Sequence, residues 1–182
     1  MHEAAHTYVH EQVLVHGPFS SVLEIGSLDI NGSVRDIFPG AFFWGVDVQA
    51  GRGVDEQRDF ATRVKPSTEQ WDCVVCCEVL EHADDEHALA ILTRAHEHLE
   101  DKGVLILTAA GPGRAPHSAR RESAPDPDEH YRNVDFATLA EWLRAAGFKL
   151  FEIDTHGLDI RATAWKGMER QPIELVETMS DR

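Results

Sequence analysis

Three stretches of this 182-residue chain hold side chains with the types and spacing for chemistry. "EVLEH" sets Glu78, Glu81 and His82 within five residues, and an imidazole there can take a proton from a hydroxyl or amine near neutral pH. His82 is the candidate catalytic base, with Glu81 beside it. "LEIGSLDING" offers Glu24, Gly26, Ser27, Asp29, Asn31 and Gly32. Gly26 lets the backbone turn beneath a ligand, and the short polar residues after it can hydrogen-bond an amino-acid-like group. A dinucleotide would need G-x-G-x-x-G at a helix N-terminus, and Leu28 stands where the second glycine belongs. The implied ligand is zwitterionic. Asp47, 21 residues after Gly26, has the position and acidity to accept both hydroxyls of a ribose. The third stretch carries Arg114, His117, Arg120 and Arg121, which read either as a solvated loop or as a site for a carboxylate or phosphate.

Two further patterns are decoys. "HEAAH", His2 to His6, matches the spacing in which two histidines one helical turn apart hold zinc, and His10 extends the row. Such a helix needs a scaffold around it to shape a cleft, and here nothing precedes it. The row reads instead as the solvated face of a helix whose Tyr8, Val9 and Val13 face inward, a lid over the ligand. Cys73 and Cys76 form a C-x-x-C, with Cys77 adjacent. "CVVCC" reads as a buried strand with Cys73, Val75 and Cys77 on one face, and free cysteine packs well in such places.

These groups need a frame, and the hydrophobic pattern supplies it. A helix is expected over "HEAAHTYVHEQVLVHG", ending at Gly17-Pro18. Strands are expected at "SVLEIG", "AFFWGVDV", a weak "GVD", "DCVVCCEV" and "GVLILTAA". "NGSVRDIF" reads as the helix after the first strand, and "DEHALAILTRAHEHLEDKG" as a helix closed by Gly103. In "DFATLAEWLRAAGF", Asp135 is the N-cap and Phe136, Leu139, Leu143 and Ala146 share a face. "KLFEIDTH" and "IRATAWKG" are too close for a crossover, so they form an antiparallel hairpin with one reversed strand at the sheet edge. The fold class is α/β: a Rossmann-like, doubly wound, mostly parallel seven-stranded sheet with helices on both faces. Its ligand belongs beyond the strands' carboxyl ends.

One domain is expected over residues 1–167, with 1–17 the lid helix, 110–130 a loop on the substrate side and 168–182 a peripheral tail. With 17 basic and 32 acidic residues, the net charge of −15 opposes nucleic acid and anionic membranes as partners. No apolar run spans a bilayer and the N-terminus lacks a signal-peptide core, so the expected location is cytoplasmic. Monomer and homodimer remain open.

A ribose acid and a zwitterion-binding turn together suggest S-adenosylmethionine. The chain resembles the class I S-adenosylmethionine-dependent methyltransferases over nearly all of residues 21–167, through "LEIGS", "GVDV", "RDF", "DCVVCCEVLEH", "LEDKGVLILTAAG" and "HYRNVDFATLAEWLRAAGF" in that order. The resemblance implies that Glu24, Gly26 and Ser27 hold the methionine end, that Asp47 takes the ribose, and that Val48 packs on the adenine. It also implies that Asp59 and Phe60 read the adenine edge and that Glu78 meets the amino end of the cofactor. Asp29 and Gly32 complete the first turn, where "SLDING" departs from the family's glycines. E-x-x-E-H further resembles the metal-binding element of small-RNA 2'-O-methyltransferases and ubiquinone-pathway O-methyltransferases. That site would need a later histidine, His117 or His130, and spacing fixes neither, so the favoured reading has no metal. The expected reaction is methyl transfer to an O or N atom of a small molecule. Methylation of a nucleic acid or modified base, and a non-catalytic cofactor-binding regulatory domain, are the alternatives.

Overall fold

In the computed structural model, residues 3–62, 70–121 and 123–168 are described. Short runs of β-branched, aromatic and cysteine side chains form β1 (Ser21–Ile25), β2 (Phe42–Asp47), β3 (Glu56–Gln57), β4 (Trp71–Cys77), β5 (Leu99–Ala110), β6 (Leu150–His156) and β7 (Asp159–Trp165). They make one seven-stranded sheet in the order β3-β2-β1-β4-β5-β7-β6. β1 to β5 run parallel, while β7 is antiparallel to both β5 and β6. The Rossmann-like, mostly parallel sheet is therefore present. Its reversed strand is not at the edge: β7 lies inside and β6 takes the rim. The reason is burial, since Ile160, Ala162, Thr163 and Ala164 of β7 are covered whereas Glu152, Asp154, Thr155 and His156 of β6 are exposed.

Helices cover both faces. α2 (Asp85–His98) and α3 (Phe136–Ala145) pack Leu92, Leu139 and Leu143 onto Leu23, Ile25, Val74, Leu105 and Leu107. On the other side, α1 (Glu3–His16) sets Tyr8 and Val9 against Val22, Cys73, Val75 and Ile106. The two faces of β4 separate Cys73, Val75 and Cys77 from Val74 and Cys76, and all three cysteines are free and buried. The period-2 reading of "CVVCC" holds.

Several expected features differ. α1 is not a lid: Tyr8 Oη and Thr163 Oγ1 of β7 are hydrogen-bonded at 2.8 Å, and no described α1 residue lines the main cleft. Its inward stripe is satisfied by the sheet itself. The helix expected over "NGSVRDIF" is one 3-10 turn, Arg35–Ile37. The Asp29 carboxylate ties up the Gly32 amide just before it, and Pro39-Gly40 stops the chain just after, so little room remains. β3 falls at Glu56–Gln57 rather than at "GVD", because Asp55 is spent on the Gly45 amide and Arg35 binds the Gly53 carbonyl. α2 ends at His98, where Leu99 enters β5, and Phe136 at the first turn of α3 is 57% exposed. Asp135 does cap α3, accepting from the Thr138 amide at 2.8 Å. His2 and all of the tail after Met168 lie outside the described residues.

Candidate active site

β1 pairs with β2 on one side and β4 on the other, so the chain diverges at the carboxyl end of β1. A cleft of about 380 Å³ opens there. Gly26 ends β1 with φ +79°, and a Cβ on it would lie 2.3 Å from Val79 Cγ2, so both conformation and space demand glycine. Its amide and that of Ser27 bond the Val46 carbonyl of β2. Glu24 is 3% exposed and Ser27 is 2% exposed. Among the described residues, Glu24 Oε2 and Ser27 Oγ have no hydrogen-bond partner, a state that costs free energy unless a ligand supplies one. Burial pushes the Glu24 carboxyl up to about 8, with Arg35 acting against it.

The next wall is acidic and pre-oriented. Asp47 Oδ1 accepts the Gln49 amide at 2.8 Å and Oδ2 the Leu28 amide at 3.1 Å. Gly32 and the 58%-exposed Val48 line the same cleft. Asp59 accepts the Ala61 amide and lies 3.1 Å from His87 Nε2, while Phe60 is buried against His98. Asp29 does not join them. Its carboxylate accepts the Gly32 amide and pairs with Arg52 at 2.5 Å, holding the turn together behind the cleft wall.

Beyond β4 the cleft meets a second group of residues. Glu78 has φ +60°; its Oε1 accepts the Thr108 hydroxyl at 2.9 Å and its Oε2 lies 2.6 Å from Arg114 Nη1. Arg114 also contacts Asp159 Oδ1 at 2.6 Å. Arg120 pairs with Asp128 and Arg121 with Asp126. The basic run is thus neutralised by neighbouring acids and offers no spare cation for an anionic ligand.

His82 lines the cleft, whereas Glu81 is fully buried behind it and accepts the Ala110 amide at 3.1 Å. Burial, with Glu78 adding to it, raises the Glu81 carboxyl well above the usual range. Burial and the neighbouring His117 lower His82 to about 4. His82 is uncharged at neutral pH, as a base must be, but a base that weak takes a proton from a hydroxyl poorly. Of the two later histidines, His117 is the one brought close: its ring centroid lies 5.0 Å from that of His82, and its Nε2 lies 3.7 Å from Glu81 Oε1. Donor atoms of Glu81, His82 and His117 lie within 4.8 Å of one another. His130 contributes its backbone to the His82 ring. Tyr131, His87 and Thr108 were not legible as site residues, nor was Asp159 as the partner of Arg114: Tyr131 arrives on a loop, Thr108 and Asp159 through strand pairing and His87 on the first turn of α2, none of which local spacing records.

Parallel strands, a closing hairpin and a cleft at the divergence of β1, lined by apolar side chains with a few polar groups among them, match the fold of S-adenosylmethionine-dependent methyltransferases. A family model described as a methyltransferase domain matches residues 7–153, and the chain belongs to this family. No curated protein matches in sequence. Among solved structures, the N-methyltransferase NodS from Bradyrhizobium japonicum WM9 with S-adenosyl-L-homocysteine is 16% identical, with a TM-score of 0.64 over 91% of this chain and 87% of that one. The Burkholderia thailandensis 1,6-didemethyltoxoflavin-N1-methyltransferase, solved with its named substrate and S-adenosylhomocysteine, is 21% identical, with a TM-score of 0.63 over 90% and 79%. Human N-acetylserotonin methyltransferase with SAM is 15% identical at a TM-score of 0.59, and the chain spans only 52% of it. Among the described residues, no helix is long and apolar enough to cross a membrane.

Proposed function

We propose that the cleft binds S-adenosylmethionine and that the protein moves its methyl group to an oxygen or nitrogen atom of a small molecule. One observation carries this reading. The buried, unpartnered Glu24 Oε2 and Ser27 Oγ share a cleft with the pre-oriented Asp47 carboxylate, a donor and acceptor set suited to an amino-acid tail on a ribose. Glu24, Gly26 and Ser27 hold the methionine end, with Gly32 allowing close approach. Asp47 accepts the ribose hydroxyls, Val48 is the apolar shelf for adenine, and Asp59 and Phe60 read its edge. Glu78 faces the amino group.

S-adenosylmethionine held by these residues would supply an electrophilic methyl carbon to the acceptor's lone pair, with the sulfur as leaving group keeping the electron pair of the broken bond. The chain's contribution is placement, which alone can supply roughly 7 to 11 kcal/mol. His82 and His117 line the cleft, and so weak a base as His82 suits a proton shed after the acceptor atom has gained the methyl group and become strongly acidic, not one drawn from a free hydroxyl beforehand. Loop residues Ser118, Ala119 and Ser123 close the outer wall, and the relatives whose printed names give a small-molecule acceptor favour the same class here. Free buried cysteines suit a reducing cytoplasm. A divalent ion on Glu81, His82 and His117 is a second reading, favoured by the buried, unpartnered Glu81 Oε2 and His82 Nδ1. Two imidazoles and a carboxylate fit zinc or manganese better than magnesium, and the ion would hold an acceptor oxygen.

S-adenosylmethionine and S-adenosylhomocysteine should each raise the melting temperature, at about 100 times Kd adding roughly 2.7 kcal/mol, and NAD should not. A larger shift with NAD, or none with either sulfur ligand at saturation, rejects the reading. Mass spectrometry of metabolite pools incubated with the protein then separates a methyltransferase from a cofactor-binding regulatory domain, which binds without product. Calorimetry with zinc and manganese on chelator-treated protein tests the ion, whose binding should be lost in His117→Ala.

A further inference from the structure

Of the two loop arginines that line the cleft, Arg114 and Arg121, it is Arg114 that meets a carboxylate of the cleft. Arg114 Nη1 is 2.6 Å from Glu78 Oε2 and 2.6 Å from Asp159 Oδ1, the first residue of β7. The arginine's own backbone is fixed as well, its amide on the Gly111 carbonyl and its carbonyl on the Asn133 side chain. The other side of the Glu78 carboxylate is fixed by Thr108 Oγ1 at 2.9 Å. Glu78 is thus clamped between a hydroxyl from β5 and a guanidinium from the loop, on a backbone turn of φ +60°.

The other arginines of the loop are spent elsewhere, Arg120 on Asp128 and Glu129 and Arg121 on Asp126, all within the loop. Only Arg114 among them reaches a carboxylate of the cleft. Asp159 matters because two acids share the one cation: Glu78, Asp159 and Arg114 together carry one net negative charge, which a ligand's ammonium group at Glu78 would neutralise.

We infer that Arg114, braced by Asp159, is a positioning residue that fixes the Glu78 carboxylate for the amino group of the cofactor. The inference rests on the cofactor reading above and assigns the arginine to the amino-acid half of the ligand alone. The nucleoside half, at Asp47 and Asp59, is held by elements that do not touch Arg114. Both acids meet the same nitrogen, Nη1, at the end of a rigid planar group; a lysine ammonium brings the charge on a flexible stem without that planar group, so it replaces the arginine only in part.

Two ligands separate the halves: S-adenosylhomocysteine, which carries the amino acid, and 5'-methylthioadenosine, which lacks it. Calorimetry on the full chain should find that Arg114→Gln raises Kd for S-adenosylhomocysteine at least tenfold while changing that for methylthioadenosine less than twofold. Arg114→Lys should recover part of the loss. Asp159→Asn, which keeps shape in β7, should give the same split in smaller degree and serves if Arg114→Gln does not fold. Unchanged S-adenosylhomocysteine affinity in these variants, or an equal loss for both ligands, overturns the inference. Wild-type protein that binds neither ligand overturns the cofactor reading instead.

Discussion

The proposed ribose contact rests on Asp47, whose two oxygens already accept amides from Leu28 and Gln49. Asp47→Ala should weaken S-adenosylhomocysteine binding by about 1.5 to 3 kcal/mol for each charge-assisted bond lost. The two amides that Asp47 orients imply that the variant also melts somewhat lower. Unchanged affinity in a folded variant by calorimetry would remove the ribose role. Glu24 gives a pH prediction. Its native carboxyl keeps a proton up to about 8, against an ordinary value of 4.5, so the folded chain binds more protons than the unfolded one between those limits. Stability therefore falls as pH rises through that window. His82, lowered from 6.5 to about 4, acts oppositely but only below 6.5. From pH 6.5 to 8 the Glu24 contribution should cost up to about 1.4 kcal/mol per pH unit. Urea unfolding across that range should show the fall, and Glu24→Gln should reduce it; an equal slope in the variant would place the titration elsewhere.

At the scale of elements, capping and turn residues make independent predictions. Asp135 caps α3 away from the cleft, so Asp135→Ala should cost about 1 kcal/mol of stability and leave S-adenosylhomocysteine affinity unchanged. Gly26→Ala should do the reverse in emphasis, because a methyl at φ +79° meets Val79 and moves the start of the turn that carries Glu78. A Gly26→Ala protein that binds the ligand normally would contradict the tight fit. The same elements show what was legible. Period-2 runs such as "CVVCC" and caps such as Asp135 declare themselves locally, and so did Glu24, Gly26 and Asp47 by their positions at strand ends. The shortened first helix did not, because its pattern is sound and only the Asp29–Gly32 bond and the Pro39 stop prevent it. Neither did the position of β7, since sheet order is decided by which hairpin strand buries more side chains. The distinction between His117 and His130 depends on a loop path that no periodicity encodes.

For the whole molecule, charge bears on the proposed class of acceptor. The chain carries −15, and the loop arginines nearest the cleft are paired with Glu78, Asp159, Asp128 and Asp126. A polyanion approaching this mouth would meet little unpaired positive charge and would have to displace pairs already made. Nucleic-acid binding draws most of its affinity from phosphate neutralisation, with log K falling against log salt in proportion to the phosphates contacted. The protein loaded with S-adenosylhomocysteine should therefore show no binding to transfer RNA or single-stranded DNA at 50 mM salt by fluorescence anisotropy. Micromolar binding with a salt slope of about −3 or steeper would mean several phosphate contacts, and a basic surface formed from residues other than the paired arginines. Methylation of a nucleic acid would then displace the small-molecule acceptor. Flat titrations, combined with a methylated product from a metabolite pool, would support the proposed small-molecule acceptor beside His82, His117 and the outer wall of the loop, all of which line the cleft.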